Sequence, residues 1–200
     1  MVEGFLFWPL VLFSSAMSFT PGPNVIMVTS TAANFGYRRA IPHILGITFG
    51  FGVMIVVLGA GIAGAMLAEP RIHAVLKYAG AAYLLYLAWR IARSRGSADG
   101  STRDRPIGFV EAALFQWVNP KGWMSALGAL AAFTTAAGNP VVETTLILLV
   151  LDGAVFLSVA LWAAFGVAVG RFLVNPSVRR VFNWSMAGLL VLSLIPVLID

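Results

Sequence analysis

Three ionisable side chains, Glu111, Lys121 and Asp152, lie within long apolar stretches of this 200-residue chain, Glu111 nearest to the end of its stretch. An ionised Lys or Asp at the centre of a bilayer costs about 2.5–3.5 kcal/mol on insertion scales, so such residues face a cavity or a partner. Asp152 follows Glu143 by nine residues, which places it deep in its span, at a depth similar to that of Lys121. We expect Lys121 and Asp152 to share a central site in which Asp152 can titrate, the alternative being a static structural pair.

Two proline motifs lie close to these charges, Thr-Pro-Gly-Pro-Asn at 20–24 and Val-Asn-Pro-Lys-Gly at 118–122. Proline removes a backbone donor and clashes with the preceding turn, so both motifs predict interrupted helices. Backbone groups freed at membrane depth are tolerated only where they are buried in protein or line a wet cavity, and half-helix ends carry partial charges. The motifs therefore indicate a binding site, whereas a simple proline kink is the alternative at each. The candidate binding residues are Pro21, Gly22, Pro23, Asn24, Gln116, Asn119, Pro120 and Lys121.

The composition indicates that these charges and proline motifs lie in a membrane protein. The chain is 60% hydrophobic and 10% charged, against roughly 45–50% and about 25% in soluble proteins. The net charge of +5 then bears on membrane topology, and no nucleic-acid partner is expected. With no cysteine and two histidines, disulfides, thiol relays and a three-histidine zinc centre are excluded, and we expect no metal and no cofactor. An intramembrane hydrolase is disfavoured because the chain has no Gly-x-Ser-x-Gly motif and no deep histidine.

Six apolar stretches are long enough to cross the bilayer as helices, which predicts an all-α polytopic membrane protein. The first stretch follows a leader with Glu3 and no Lys or Arg, so it is interpreted as an uncleaved span rather than a signal peptide. The predicted spans are Phe5–Ala33, Ala40–Leu67, Arg71–Ile91, Ile107–Phe133, Val142–Val169 and Val178–Leu198.

The arginines predict the orientation. If six spans alternate, ten arginines fall on one face of the membrane and only Arg71 and Lys77 on the other. The positive-inside rule then places the arginine-rich face in the cytoplasm and both termini outside.

A polar Gly/Ser-rich segment at 94–106 divides the spans three and three. Its composition is typical of a flexible linker, here a cytoplasmic one. An odd number of spans in each half makes the second half enter the membrane from the opposite side, which predicts two inverted three-helix repeats at 1–93 and 107–200. The two proline motifs occupy corresponding positions, in the first and fourth spans.

Two smaller features are given structural interpretations. The glycines at 46 and 50 and at 166 and 170 have the spacing that lets membrane helices approach closely. His43, near a cytoplasmic helix start, is expected to form a local hydrogen bond rather than to relay protons.

Four segments, 20–24, 34–40, 77–90 and 115–121, together resemble the lysine-exporter superfamily, and within it the homoserine/threonine-efflux (LysE/RhtB-type) branch. The resemblance implies a secondary exporter of amino acids in the bacterial cytoplasmic (inner) membrane, driven by the proton gradient. Asp152 falls where the family tends to carry an acidic residue. The chain departs from the family at Ala40 and Ala112, where glycine is frequent, and at Gln116, where asparagine is frequent.

The residues and the resemblance together favour an amino-acid exporter working by proton antiport. The carboxylate of the cargo would meet Lys121 and the half-helix amides near Asn24, and its ammonium would meet Asp152, whose protonation from outside favours release. Asn24, Gln116 and Asn119 would supply neutral hydrogen bonds. A divalent-cation exporter is a weaker alternative, because Lys121 repels cations and hard cations need several oxygen ligands. A non-transporting membrane scaffold is a second alternative, and the oligomeric state, a homodimer included, is left open.

Overall fold

The computed structural model describes residues 7–62, 70–96, 105–135 and 138–195, and every regular element within them is helical. The ends of the first, second and sixth predicted spans and residues 97–104 of the predicted linker lie outside the described residues. The helices are α1 Phe7–Phe19, α2 Pro23–Phe35, α3 Tyr37–Val57, α4 Pro70–Arg93, α5 Phe109–Gln116, α6 Pro120–Phe133, α7 Pro140–Ile147, α8 Gly153–Gly170 and α9 Pro176–Leu192.

Two of these helices continue through π-helical turns into longer rods. α3 runs on through Leu58–Ile62 as far as a kink at Gly61, which is not helical (φ 83°, ψ 0°), and α7 joins α8 through Leu148–Asp152. In the described part of the chain, the rods Tyr37–Gly61 and Pro140–Gly170 are long and apolar enough to cross a membrane, and α1 with α2 qualifies as one span bent by 54°. The chain is thus an all-helical protein with membrane-spanning helices, and the count of six spans in two inverted repeats stays a prediction.

The buried side chains form two clusters stacked along the helix axes. The inner cluster joins α2, α4, α5 and α9 with parts of α3 and α8, and it lies in the half of the molecule that carries the arginine-rich helix ends. The outer cluster joins α1, α6 and α7 with the rest of α3. We call these the inner half and the outer half. Both helix breaks lie between the two clusters, so an apolar layer separates the breaks from either end.

Glycines spaced by four residues allow the helices of the inner half to pack closely against one another. A Cβ added at Gly50 of α3 would lie 2.5 Å from the carbonyl oxygen of Ala113 on α5, and one at Gly170 of α8 would lie 2.6 Å from that of Ala33 on α2. One turn away, Gly46 and Gly166 contact the backbones of the same two partner helices. The close approach predicted for both glycine pairs is confirmed, and it holds α2 against α8 and α5 against α3.

Candidate functional site

The first break separates α1 from α2. α1 ends at Phe19, Gly22 is extended (φ −162°, ψ −177°), and Pro23 occupies the first turn of α2, where a missing backbone donor costs nothing. A Cβ added at Gly22 would lie 2.8 Å from Cδ of Lys121, so a larger residue here would displace the lysine.

The second break is a tight turn between α5 and α6. The N–H groups of Val118 and Asn119 donate to the carbonyl oxygens of Phe115 and Gln116, at 3.0 and 3.3 Å. Asn119 then occupies the N-cap position of α6 without a side-chain capping hydrogen bond, and Pro120 lies in the first turn of the helix. The end of α5 is therefore satisfied within its own turn, whereas the first break offers the carbonyl oxygen of Thr20 to another helix.

Side chains join the two breaks, although they are about a hundred residues apart in sequence. Nζ of Lys121 donates to the carbonyl oxygen of Thr20. Asn24 and Gln116 form a reciprocal amide pair, in which Nδ2 of Asn24 donates to Oε1 of Gln116 at 2.8 Å and Nε2 of Gln116 donates to Oδ1 of Asn24 at 3.1 Å. Asn119 Nδ2 also donates to Gln116 Oε1, at 3.5 Å. The structure thus brings the two predicted binding motifs into one place.

A cavity of about 50 Å³ lies between the breaks. Such a volume accepts a few water molecules and is too small for an amino acid. Two polar atoms of its lining, Oγ of Ser18 and Oδ1 of Asn119, are buried without a hydrogen-bond partner among the described residues. Buried polar atoms usually have partners, so these two acceptors are suited to a polar ligand. The rest of the lining includes Gly22, Asn24, Lys121 and Ser125 on the polar side and Phe51, Val155 and Val159 on the apolar side.

Asp152 lies on the outer side of this cavity. It ends the π-helical turn before α8, about 4.5 Å along the axis from Val155 in the cavity wall. Its Oδ2 atom lies 3.1 Å from where a Cβ of Gly52 would stand, and Oδ1 is buried without a partner among the described residues. Among the described residues no ion pair joins Asp152 to Lys121, whose ammonium is engaged by the carbonyl oxygen of Thr20. Lys121 therefore lines the cavity, whereas Asp152 lies beyond its described lining, and the two charges form no ion pair.

Glu111 belongs to a different environment. Its carboxylate accepts hydrogen bonds from Arg90 at 2.6 Å, from Arg105 at 2.9 Å and from the N–H of Gly108 at 3.0 Å. These contacts fix the start of α5 and tie it to α4, which is a structural role.

His43 is fully buried in the inner half, and its Nδ1 atom lies 3.1 Å from Oγ1 of Thr31. The contact of His43 therefore joins α3 to α2, whereas its Nε2 atom is buried without a partner among the described residues.

Sequence reasoning missed the serines of the site. Ser14 and Ser18 are buried on α1, and Ser158 on α8 donates to the carbonyl oxygen of Ser18 at 2.8 Å. Ser125 donates to the carbonyl oxygen of Lys121 at 2.7 Å. The signal was present, because the spacing of four puts Ser14 and Ser18 on one face of an apolar helix immediately before the break.

The residues described by the structure contain no group of three or more His, Asp or Glu side chains placed to hold a metal ion. A site for a hard cation needs several oxygen ligands. The groups assembled at the breaks are instead one ammonium, amides, hydroxyls and a carbonyl.

Two interrupted helices meet across a small polar cavity, an arrangement that also occurs at the binding sites of transporters. A family model described as LysE type translocator matches residues 15–197. The chain belongs to this family, as its resemblance to the lysine exporters predicted, and it is a transporter rather than an enzyme.

Relatives of known name include efflux proteins of enteric bacteria. The chain is similar to the cysteine/O-acetylserine efflux protein of Salmonella typhimurium, with 37% identity over 71% of this chain and 72% of that protein. It is 29% identical to the protein of the same name from Klebsiella pneumoniae subsp. pneumoniae, over 100% of this chain and 98% of the relative. For the protein of the same name from Escherichia coli (strain UTI89 / UPEC), the identity is 35% over 64% of this chain and 63% of the relative. No solved structure matches the chain.

Proposed function

We propose that the chain exports small polar amino acids and their derivatives, of the class of cysteine and O-acetylserine, across the bacterial inner membrane by proton antiport. The observation that carries the proposal is the meeting of the two helix breaks at a cavity with one ammonium and two buried acceptors that have no partner among the described residues. The names of the relatives support the class of cargo.

The cargo would bind by exchanging partners with groups that now bind each other. Its carboxylate displaces the carbonyl oxygen of Thr20 from Lys121 and gains a charge-assisted hydrogen bond. Its ammonium then donates to the released carbonyl and to the acceptors on Ser18 and Asn119. Because the cavity holds about 50 Å³, the helices around it must separate as cargo enters.

Alternating access follows from two inverted repeats, at 1–93 and 107–200, that rock about the central site. The contacts of Lys121 with Thr20 and of Asn24 with Gln116 run between these repeats. Rocking must therefore break and re-form them in each transport cycle.

Asp152 is the group we assign to the coupled proton. Its buried Oδ1 atom has no hydrogen-bond partner in the described part of the chain, and it lies on the outer side of the cavity. Protonation from outside would neutralise the carboxylate and weaken its attraction for the cargo ammonium, which favours release outside.

Cells preloaded with labelled O-acetylserine test the proposed export. Expression of the wild-type chain should speed loss of label, and Lys121→Met should abolish the gain. Lys77→Met removes the other lysine of the chain, outside the cavity lining, and should leave export unchanged. Equal efflux with and without the wild-type chain would exclude the proposed export.

The proposed orientation in the membrane, which rests on the distribution of arginines, has both termini outside and the 94–106 linker in the cytoplasm. The chain has no cysteine, so any labelling by a thiol reagent comes from the single cysteine that is introduced. Ser97→Cys should resist an impermeant thiol reagent in intact cells, and Ala136→Cys, between α6 and α7, should react. The opposite pattern would reverse the orientation.

A further inference from the structure

A second and much larger cavity, of about 970 Å³, opens at the arginine-rich end of the inner half between α2, α4 and α9. Sites for small molecules typically measure about 300–1,000 Å³. The smaller cavity between the two breaks is called the central cavity from here on. The two cavities share no lining residue. We call the larger cavity the arginine chamber.

The described lining of the chamber is strongly cationic and includes no carboxylate. Three of its arginines already serve the fold. Arg90 and Arg105 bind Glu111, and Arg179 donates to the carbonyl oxygens of Leu173 and Arg95. The six lining arginines are Arg90, Arg93, Arg95, Arg105, Arg179 and Arg180.

Of the other three, Arg93 and Arg180 are the guanidinium groups that we consider for a ligand, one on α4 and one on α9. Arg93 on α4 has its guanidinium 5.2 Å from the ring centre of Trp89, which orients it without using its hydrogen-bond donors. Arg180 on α9 makes no hydrogen bond or ion pair with the described residues. A carboxylate placed between them would receive charge-assisted hydrogen bonds from both.

The floor of the chamber is the far end of the half-helix that begins at the central site. Ser30 and Thr31 of α2 are at least nine-tenths buried and line the chamber. Ser30 follows Asn24 by six residues, about 9 Å along the helix axis. Between them lie the inner cluster and the glycine contact of α2 with α8. The chamber and the central cavity therefore lie along one half-helix, α2, and the packed side chains of the inner cluster separate them.

We propose that the arginine chamber is the cytoplasmic loading site of the transporter, which binds the carboxylate of neutral or anionic amino acids and repels cationic ones. This inference rests on the proposed export function and narrows its substrate class. Dibasic amino acids and divalent cations are disfavoured cargo, because six guanidinium groups line the chamber.

Inside-out membrane vesicles expose the chamber to the medium and test the proposal through the concentration dependence of O-acetylserine uptake. The double variant Arg93→Gln/Arg180→Gln should raise KM at least about tenfold, because it removes both charge-assisted contacts with the cargo carboxylate, with Vmax unchanged. KM of the wild-type chain should rise with salt, and that of the variant should respond less. Excess lysine should not compete with the wild-type chain. The matched control Arg38→Gln/Arg39→Gln removes two exposed arginines of the same end that do not line the chamber, and its KM should stay at the wild-type value.

Equal shifts of KM in both double variants would mean that the total surface charge of this end, and not the chamber, sets the affinity for cargo. That result would overturn the proposal. A fall in Vmax with KM unchanged, or an effect found only in right-side-out vesicles, would also overturn it. An effect that occurs with phosphatidylglycerol but vanishes in vesicles of phosphatidylcholine alone would assign the chamber to a lipid phosphate instead.

Equilibrium dialysis of labelled O-acetylserine against the purified chain separates this proposal from the export function. Lys121→Met should keep the binding affinity that Arg93→Gln/Arg180→Gln lowers. Binding of this kind by a chain that exports nothing would support the chamber and exclude the proposed function. Export without any difference between the wild-type chain and the arginine variant would exclude the chamber alone.

Discussion

The inner and outer halves hold their broken helices in different ways. In the inner half, α2 and α5 lie with their backbones directly on glycines of α8 and α3, so that a single added methyl group would meet a carbonyl oxygen. In the outer half, side chains mediate the contacts, as where a Cβ at Gly128 of α6 would lie 3.4 Å from the ring of Phe13 on α1. Opening the inner side of the central cavity must therefore separate packed backbones, whereas the outer side can open by side-chain movement.

This difference assigns separate tasks to the halves. Backbone-to-backbone packing between small residues has few ways to adapt, so it behaves as a closed seal. The outer half also holds Asp152, whose Oδ1 has no hydrogen-bond partner among the described residues, whereas the inner half holds Glu111 with three. The inner half is thus the more closely packed, and the outer half contains the carboxylate to which we assign the coupled proton.

Added methyl groups should give the largest difference between the halves. Gly50→Ala puts a Cβ 2.5 Å from the carbonyl oxygen of Ala113, and we expect a loss of about 3 kcal/mol in the free energy of unfolding. Gly128→Ala should change stability little, because its Cβ meets Phe13 at an ordinary contact distance. Thermal unfolding of both variants in the same detergent checks this. Equal losses would mean that the two halves are packed alike.

The local parts of this architecture could be predicted from the sequence. Proline and glycine act on the backbone of their own segment, so the breaks at 20–22 and 117–119 follow from the motifs alone. The spacing of Gly46 and Gly50 likewise predicts close packing, since small residues on one face leave room for a partner helix.

The partners of the site residues could not be predicted, because they depend on how each helix is rotated. The similar depth of Lys121 and Asp152 in their spans predicted that the two lie close together. In the structure, the side chain of Lys121 instead donates to the backbone carbonyl oxygen of Thr20. Glu111 had an apolar sequence context, but Arg105 folds back onto it from the linker end. Helix rotation is set by packing among all the helices, which no single segment encodes.

Neutralising one carboxylate in each half should separate coupling from stability. Asp152→Asn should reduce export driven by a pH gradient in proteoliposomes to background while leaving exchange of labelled for unlabelled cargo, since exchange needs no net proton movement. Little stability should be lost, because Oδ1 has no partner among the described residues. Glu111→Gln should keep gradient-driven export but lower stability by about 1.5–3 kcal/mol, as it weakens contacts with two arginines. Undiminished gradient-driven export by Asp152→Asn would remove this residue from the coupling step.

Two amide pairs allow the smallest and most specific test of the comparison. Asn24 with Gln116 lies between the halves, and Asn34 with Asn183 lies within the inner half, where Nδ2 of Asn34 donates to Oδ1 of Asn183 at 2.8 Å. A double-mutant cycle of alanine substitutions in each pair should give a coupling energy of about 1 kcal/mol in unfolding measurements.

The two cycles should differ in transport. The contact between Asn24 and Gln116 adjoins the central cavity, which must widen as cargo enters, so its removal should change the maximal export rate, and the effects of the two substitutions should be non-additive. The pair Asn34 and Asn183 also joins the two predicted repeats, but it lies away from that cavity and should give additive effects on that rate. Non-additive transport effects at Asn34 and Asn183, with additive effects at Asn24 and Gln116, would mean that the moving boundary runs through the inner half rather than between the two breaks.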